Sequence, residues 1–547
     1  MFKTLFPNFV KIFCVLLVGK LLIDNQVFSK IINQVKPTAD ANVTGEKTKK
    51  SDTTSKFNNK PPVYQNFDVV VYGDEVPGIC AAVWAKKALG NKGKVALVRS
   101  NKAHEMLGGL LTRGGLAYLD YDKIPDWYYQ PYAQCFKEFL DKSQVVDYCI
   151  EPQPADNAIK EMLSEAGVTV ISDAKLTPQV TKDKIEYVEI NDQNIRLKAD
   201  SFIDATQDAE LARNAGLSYA RGYEGQDAHL TQETLAVSLV PIIHGLAMED
   251  LQKMEDNIIF NTALVDELKN YINKYQTEAV ANFWLKNFWS PMYKSYRDGY
   301  TIRSAALGAA YHYENNIPFT QDGFFFDKAN VCVYRNGDIS WNGFLFKYPT
   351  DIAMKLDENG RKPTPEMIKK MSLLQNWLQK YSQKDVRVIL PPEVYVRHTV
   401  SIKDVVDPLT GQEIIRGGTA AENSIGSFSY DFDFRGGVRG LSVKIPPLPV
   451  FNFGIENALA TKVNNLGIVS RASGYVGVAV SVGRILTLNI YQGQAVGVAA
   501  AMAKELGVPL NSMKSPQVRK TLESLTSQTT YFYGKDTSNG QDISQVK

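Results

Sequence analysis

The stretch Phe67-Asp68-Val69-Val70-Val71-Tyr72-Gly73-Asp74-Glu75-Val76-Pro77-Gly78 decides the fold. Its first six residues are an apolar run of strand length and Gly73 to Gly78 make a turn. Ile79 to Leu89 follow as a small-residue helix closed by Gly90, and Lys94 to Val98 form a second strand. A strand, turn, helix, strand unit of about 30 residues has the length of the βαβ unit that binds a dinucleotide, with the pyrophosphate at the helix N-terminus. In such a unit the first glycine permits a tight turn, the second lets backbone approach the pyrophosphate, and the third lets helix and strand pack closely. Gly73 and Gly78 fill the first and third roles, with Pro77 beside them. The middle position is Glu75, preceded by Asp74, so two carboxylates stand where two phosphates would lie. The acidic residue expected about 20 residues later, on the ribose, is missing, and the second strand ends Val98-Arg99. Arg99 reads as a phosphate partner or as a surface charge.

Further along, three more segments bear on the same site. Met106-Leu107-Gly108-Gly109-Leu110-Leu111-Thr112-Arg113-Gly114-Gly115 is a glycine-rich loop whose backbone can approach a planar ring closely. Phe202-Ile203-Asp204-Ala205-Thr206-Gln207-Asp208 is an apolar strand ending in polar residues, where open parallel sheets bind ligands. Val463 to Ser473, containing Arg471, precedes a Gly/Ala-rich helical stretch from Gly493-Gln494-Ala495 to Ala503. The helix is expected to start at Gly493, its positive end near a ring that accepts negative charge.

In order and spacing these segments resemble the FAD-dependent oxidoreductases with a glutathione-reductase-like flavin domain, over roughly Phe67 to Leu230 and Val396 to Leu506. The resemblance implies an α/β chain. A Rossmann-like FAD-binding domain, a parallel sheet with helices on both faces, is built from 67–230 and 393–510; an α+β substrate or cap domain, 231–392, is inserted between, and a tail runs from 511 to 547. It implies FAD as cofactor, held by Gly73, Pro77, Gly78, Arg99, Gly108, Gly109, Leu110, Thr112, Val170, Ala205, Thr206, Arg471, Gly493, Gln494 and Ala495. It also implies transfer of hydride or electrons from a small organic substrate to the flavin. Gln207 stands where family members usually have Gly. Arg397 and His398 align roughly where relatives carry an arginine-rich segment facing the substrate, which makes them the expected substrate-binding and proton-transfer pair. The competing reading is a fold relative that has lost flavin and acts as a binding or scaffold protein.

The rest of the sequence narrows the setting. The chain has 547 residues with 61 Lys+Arg against 59 Asp+Glu, and a net charge of +2 offers no basic footprint for nucleic acid. Residues 1–30 carry Lys3 and Lys11 ahead of an apolar stretch and read as a signal peptide or a membrane anchor, which predicts an exported or membrane-anchored protein and attachment through that segment. Residues 31–66 are mostly polar and read as a disordered linker. The cysteines, at 14, 80, 135, 149 and 332, form no CxxC pair, so neither a zinc site nor a disulfide scaffold is expected, and the core is expected to hold by burial alone. No metal site is expected. HExxH, P-loop and GxSxG patterns are absent, which argues against zinc protease, NTPase and α/β-hydrolase chemistry. The 231–392 segment is rich in aromatics, among them Trp284, Phe288 and Phe324-Phe325-Phe326, and core packing is the expected role of any one of them.

Overall fold

β1 (Val63–Tyr72), α1 (Val76–Leu89) and β2 (Val95–Val98) form the expected βαβ unit. β1 starts four residues earlier than its apolar run, because Val63 to Asn66 pair with the start of a later strand while their side chains face solvent. The linker therefore ends before Val63. This computed structural model describes residues 61–547 apart from 146–147, 192–193, 289–294, 297–298, 301–303, 444 and 446–447. The readings made for residues 1–30 and for most of the linker lie outside the described residues. Val63–Lys547 form one unit.

After β2, α2 (Pro152–Ala166) ends on Gly167, which takes the left-handed conformation, and leads into β3 (Thr169–Ile171). A hairpin of β4 (Leu176–Thr181) and β5 (Lys184–Ile190) feeds β6 (Ile195–Asp204). The first sheet runs β3-β2-β1-β6-β5-β4; β1 lies parallel to both β2 and β6. The chain thus leaves β1 toward β2 and later returns to its other side at β6, and a crevice opens at the carboxyl ends of these three strands.

The second sheet is antiparallel. It contains β7 (Val237–Leu239), β8 (Ile242–His244), β9 (Ser295–Tyr296), β10 (Gly299–Tyr300), β11 (Phe324–Val333), β12 (Ile339–Phe346) and β13 (Arg387–Ile389), ordered β9-β10-β11-β12-β8-β13 with β7 also on β12. Its aromatics are core: Trp284 meets Phe319 and Phe325 edge-on at 5.5 and 5.3 Å, and Phe326 packs on Phe344 at 4.5 Å. β14 (Leu466–Ile468) then returns to the first sheet, parallel to β6.

α3 (Leu486–Leu506) crosses α1 where Gly493 and Gly497 stand; a Cβ on either would press into the backbone of Pro77 or Ala81. The helix thus starts at Leu486, not at Gly493, and Gly493, Gln494 and Ala495 lie within it. Gln494 accepts from Cys135 N at 2.8 Å and donates to Pro131 O at 2.7 Å, so its polar atoms tie the fold together. The segment after 510 is not a loose tail: α4 (Ser515–Thr526) and the buried Ile543 and Val546 join the main core. Two disulfides correct the expectation of a core held by burial alone. Cys80 of α1 is bonded to Cys135, and Cys149 to Cys332 of β11, with Cα atoms 5.8 and 5.7 Å apart. Sequence spacing gave no sign of them because the pairs are 55 and 183 residues apart.

Candidate functional site

Gly73 ends β1 at φ +115°, and a Cβ there would stand 2.5 Å from the carbonyl carbon of Ala205. Gly78, one turn into α1, leaves no room either: a Cβ would lie 2.7 Å from the Ala205 methyl. Both glycines therefore do what the motif asks, bringing the helix start against the sheet. Glu75 is the N-cap of α1, with Pro77 in the first turn.

The two carboxylates of the turn are buried and fully engaged. Asp74 receives Arg113 through both terminal nitrogens, each at 2.8 Å, and Arg99 Nε lies 3.3 Å away. Burial opposes ionisation of Asp74, yet Arg113, then Arg99 and Arg361, holds the carboxyl below the usual aspartate range. Arg113 in turn donates through Nε to Glu393 at 2.6 Å. Glu75 is held by Arg471, whose Nη2 lies 2.8 Å from Oε2 and 3.0 Å from Oε1. Gln207 Nε2 adds a bond of 2.6 Å to Oε1, and the backbone N–H of Leu110 donates to the same oxygen at 3.3 Å. The Glu75 side chain fills the space over the glycine loop, for a Cβ on Gly109 would sit 2.5 Å from its Cγ.

A cavity of about 490 Å³ opens beside this network, at the carboxyl ends of β1, β2 and β6. Of the residues expected to bind cofactor, Gly73, Arg99, Ala205 and Thr206 line it, joined by Lys175, Arg213, Asp357 and Arg361, which the sequence did not single out. Burial, then the charge of Asp208, pushes the Asp357 carboxyl up to about 7 against the pull of Arg361 and Arg471. Arg99 is no surface charge: it is buried and donates to the carbonyls of Lys102 and Glu105. Pro77, Gly78, Gly108, Gly109, Leu110 and Thr112 are buried beneath the turn, Arg471 is committed to Glu75, and Val170 is an exposed residue of β3, paired with Leu97.

Arg397 and His398 are buried and do not line the cavity. His398 Nε2 lies 3.0 Å from Ser401 Oγ; burial, helped by the charge of Arg471, pushes the imidazole down to about 3. The imidazole is thus neutral at ordinary pH and lies away from the cavity. Arg397 donates to Ala236 O at 2.6 Å and lies 4.4 Å from the centre of the Tyr395 ring, which also faces Arg471 at 5.5 Å. Arg484 Nη1 reaches the Tyr395 hydroxyl at 3.1 Å and its Nη2 pairs with Asp433, while Arg435 pairs with Asp327 at 3.0 Å. Arg397, Arg435 and Arg484 each keep a buried Nε without a hydrogen-bond partner. Burial, then the charges of Arg484 and Arg435, pushes Arg397 down to about 9.

A βαβ turn closed by two glycines, with a polar cavity at the carboxyl ends of a parallel sheet, is the arrangement of the Rossmann-like folds. Residues 68–522 match the FAD dependent oxidoreductase family, and the chain belongs to it. No curated protein matches the chain. Among solved structures it is similar to CtdE in complex with FAD, with 10% identity over 85% of this chain and 100% of that one, at a TM-score of 0.35. It is likewise similar to the myxobacterial chondrochloren halogenase CndH, with 12% identity over 84% and 79%, at a TM-score of 0.37.

FAD is the cofactor of this family. The turn fits a dinucleotide, because Gly73 and Gly78 let helix and sheet pack closely, while the cavity beside it sets Arg99, Lys175, Arg213 and Arg361 against Asp74, Glu75, Asp208, Glu210, Asp357 and Glu358. At the start of α1 the fit depends on Glu75, whose carboxylate lies beside the helix start and takes up Arg471. With Glu75 turned away, Arg471 and the first amides of α1 would hold the phosphates.

Proposed function

We propose that this flavin oxidoreductase withdraws a hydride from a small organic anion. FAD supplies the acceptor for that hydride when bound. The observation that carries the anionic substrate is the group of Arg397 and Arg484, buried against the Tyr395 ring and hydroxyl, and the half-buried Arg435, each with an unpartnered Nε and opposed by Asp327, Asp433 and Asp120. A substrate carboxylate set among them would turn unsatisfied donors into charge-assisted hydrogen bonds. Tyr395 faces both Arg397 and Arg471, so an anion held by Arg397 is oriented next to the glycine-turn site. His398, neutral and close to Ser401, orients rather than exchanges protons.

The two disulfides support an exported protein, because thiols of cytosolic chains are kept reduced. The flavin-less reading draws its support from Glu75 and Arg471, which pair with each other beside the glycine turn. Anaerobic bleaching of the FAD-loaded protein by small carboxylic acids and their amide counterparts tests the substrate. Bleaching by acids alone, with KM raised about tenfold in Arg397→Met, is expected from the loss of one charge-assisted contact. Equal bleaching by the amides would overturn the anionic substrate.

A further inference from the structure

We infer that Glu75 is an internal anion that keeps the dinucleotide site closed, and that FAD enters by displacing it from Arg471. The inference rests on the FAD reading above and adds how the site is loaded.

Three observations meet at this residue. Its backbone is the N-cap of α1, and it lines the cavity at the carboxyl ends of β1, β2 and β6, so it stands at the mouth of the site to which a helix start draws a phosphate. Its Cγ occupies the space over Gly109. And it takes both bonds of Arg471 Nη2, while Nη1 of the same guanidinium is spent on Gln207 at 3.0 Å and on the Val396 carbonyl. A pyrophosphate seated at the start of α1 and the Glu75 carboxylate would thus compete for one cation and one volume. Two anions in such a dry site repel strongly, so only one can be seated at a time.

The pairing also bears on stability. Arg471 is buried, and a buried guanidinium without a counter-ion is destabilising. Glu75 supplies the counter-ion until FAD does. Gln207 reinforces the closed state by bonding both partners. Because FAD binds the open state alone, its apparent affinity is reduced by the fraction of molecules that are open.

The test is a titration of the full-length wild type and of Glu75→Gln with FAD, followed by flavin fluorescence, with thermal melts of both proteins with and without FAD. Glu75→Gln is expected to bind FAD about tenfold more tightly or better, since removing the charge releases the closed state. Without FAD it is expected to melt below the wild type, and FAD is expected to raise its melting temperature by more. Stopped-flow mixing of wild type with FAD gives a reading that needs no variant: the observed rate is expected to level off as FAD rises, because opening limits it. If both proteins bind FAD equally well and the wild-type rate rises linearly, the gate is overturned while the flavoprotein reading stands. If neither protein takes up FAD, the gate and that reading fall together.

Discussion

Asp357 makes the cavity sensitive to pH near neutrality. Its carboxyl titrates at about 7 in the folded chain, facing Arg361, Arg471, Thr399 and Asp208. As pH rises through 7 the cavity gains a negative charge, so affinity for an anionic dinucleotide is expected to fall between pH 6 and 8, and Asp357→Asn is expected to flatten that profile. For stability the sign follows from a folded value raised above the ordinary aspartate 3.8: the contribution is complete below about 4 and is lost as pH climbs to about 7. His312 acts in the opposite direction. Buried among Phe319, Phe324 and Phe325, it accepts from Phe326 N at 2.9 Å, and burial pushes it down from 6.5 to about 4. Its neutral form therefore stabilises the fold above pH 6.5, and about 3 kcal/mol is expected to be lost as pH falls to 4. Urea melts across this range, with a smaller acid loss in His312→Gln, check it. At this scale the sequence showed that Asp74 and Glu75 break the motif but not what answers them. Arg113 is 39 residues from Asp74 and Arg471 is 396 residues from Glu75, and only the fold brings them together.

The elements were legible where local pattern decides them. The apolar run 67–72, the glycines of the turn and the small-residue helix all fall where β1, its turn and α1 stand. The start of α3 was not, for a physical reason: the residue before it is Ile485, which has no side-chain oxygen to cap a helix, so the glycines at 493 and 497 were the more visible signal. Those glycines serve the crossing with α1 instead. Gly497→Ala sets a methyl against the backbone of Ala81 and is expected to cost about 1–3 kcal/mol, read from chemical denaturation, because two packed helices must separate to admit it. The same separation moves the start of α1, so FAD affinity is expected to fall with stability in this variant, whereas Glu75→Gln moves the two in opposite directions.

For the whole molecule the two disulfides set the conditions under which the chain holds together. Cys80–Cys135 ties α1 to the segment that also anchors Gln494, and Cys149–Cys332 ties the flavin-binding part of the chain to the second sheet. Closing loops of 55 and 183 residues restricts the unfolded chain by about 4–5 kcal/mol each in the chain-entropy account. Both bridges are buried, so a reductant is expected to act slowly on the native protein and fast once it opens, lowering the melting temperature in reducing buffer. The chain has five cysteines and four are bridged, which leaves Cys14 in the N-terminal segment. A thiol titration in denaturant without reductant therefore reads two properties at once. One reactive thiol per chain is expected while residues 1–30 remain attached, and none once a leader ending near Ser29 has been removed. Five reactive thiols in protein taken from its native compartment would mean that neither bridge forms there, and would overturn the exported reading.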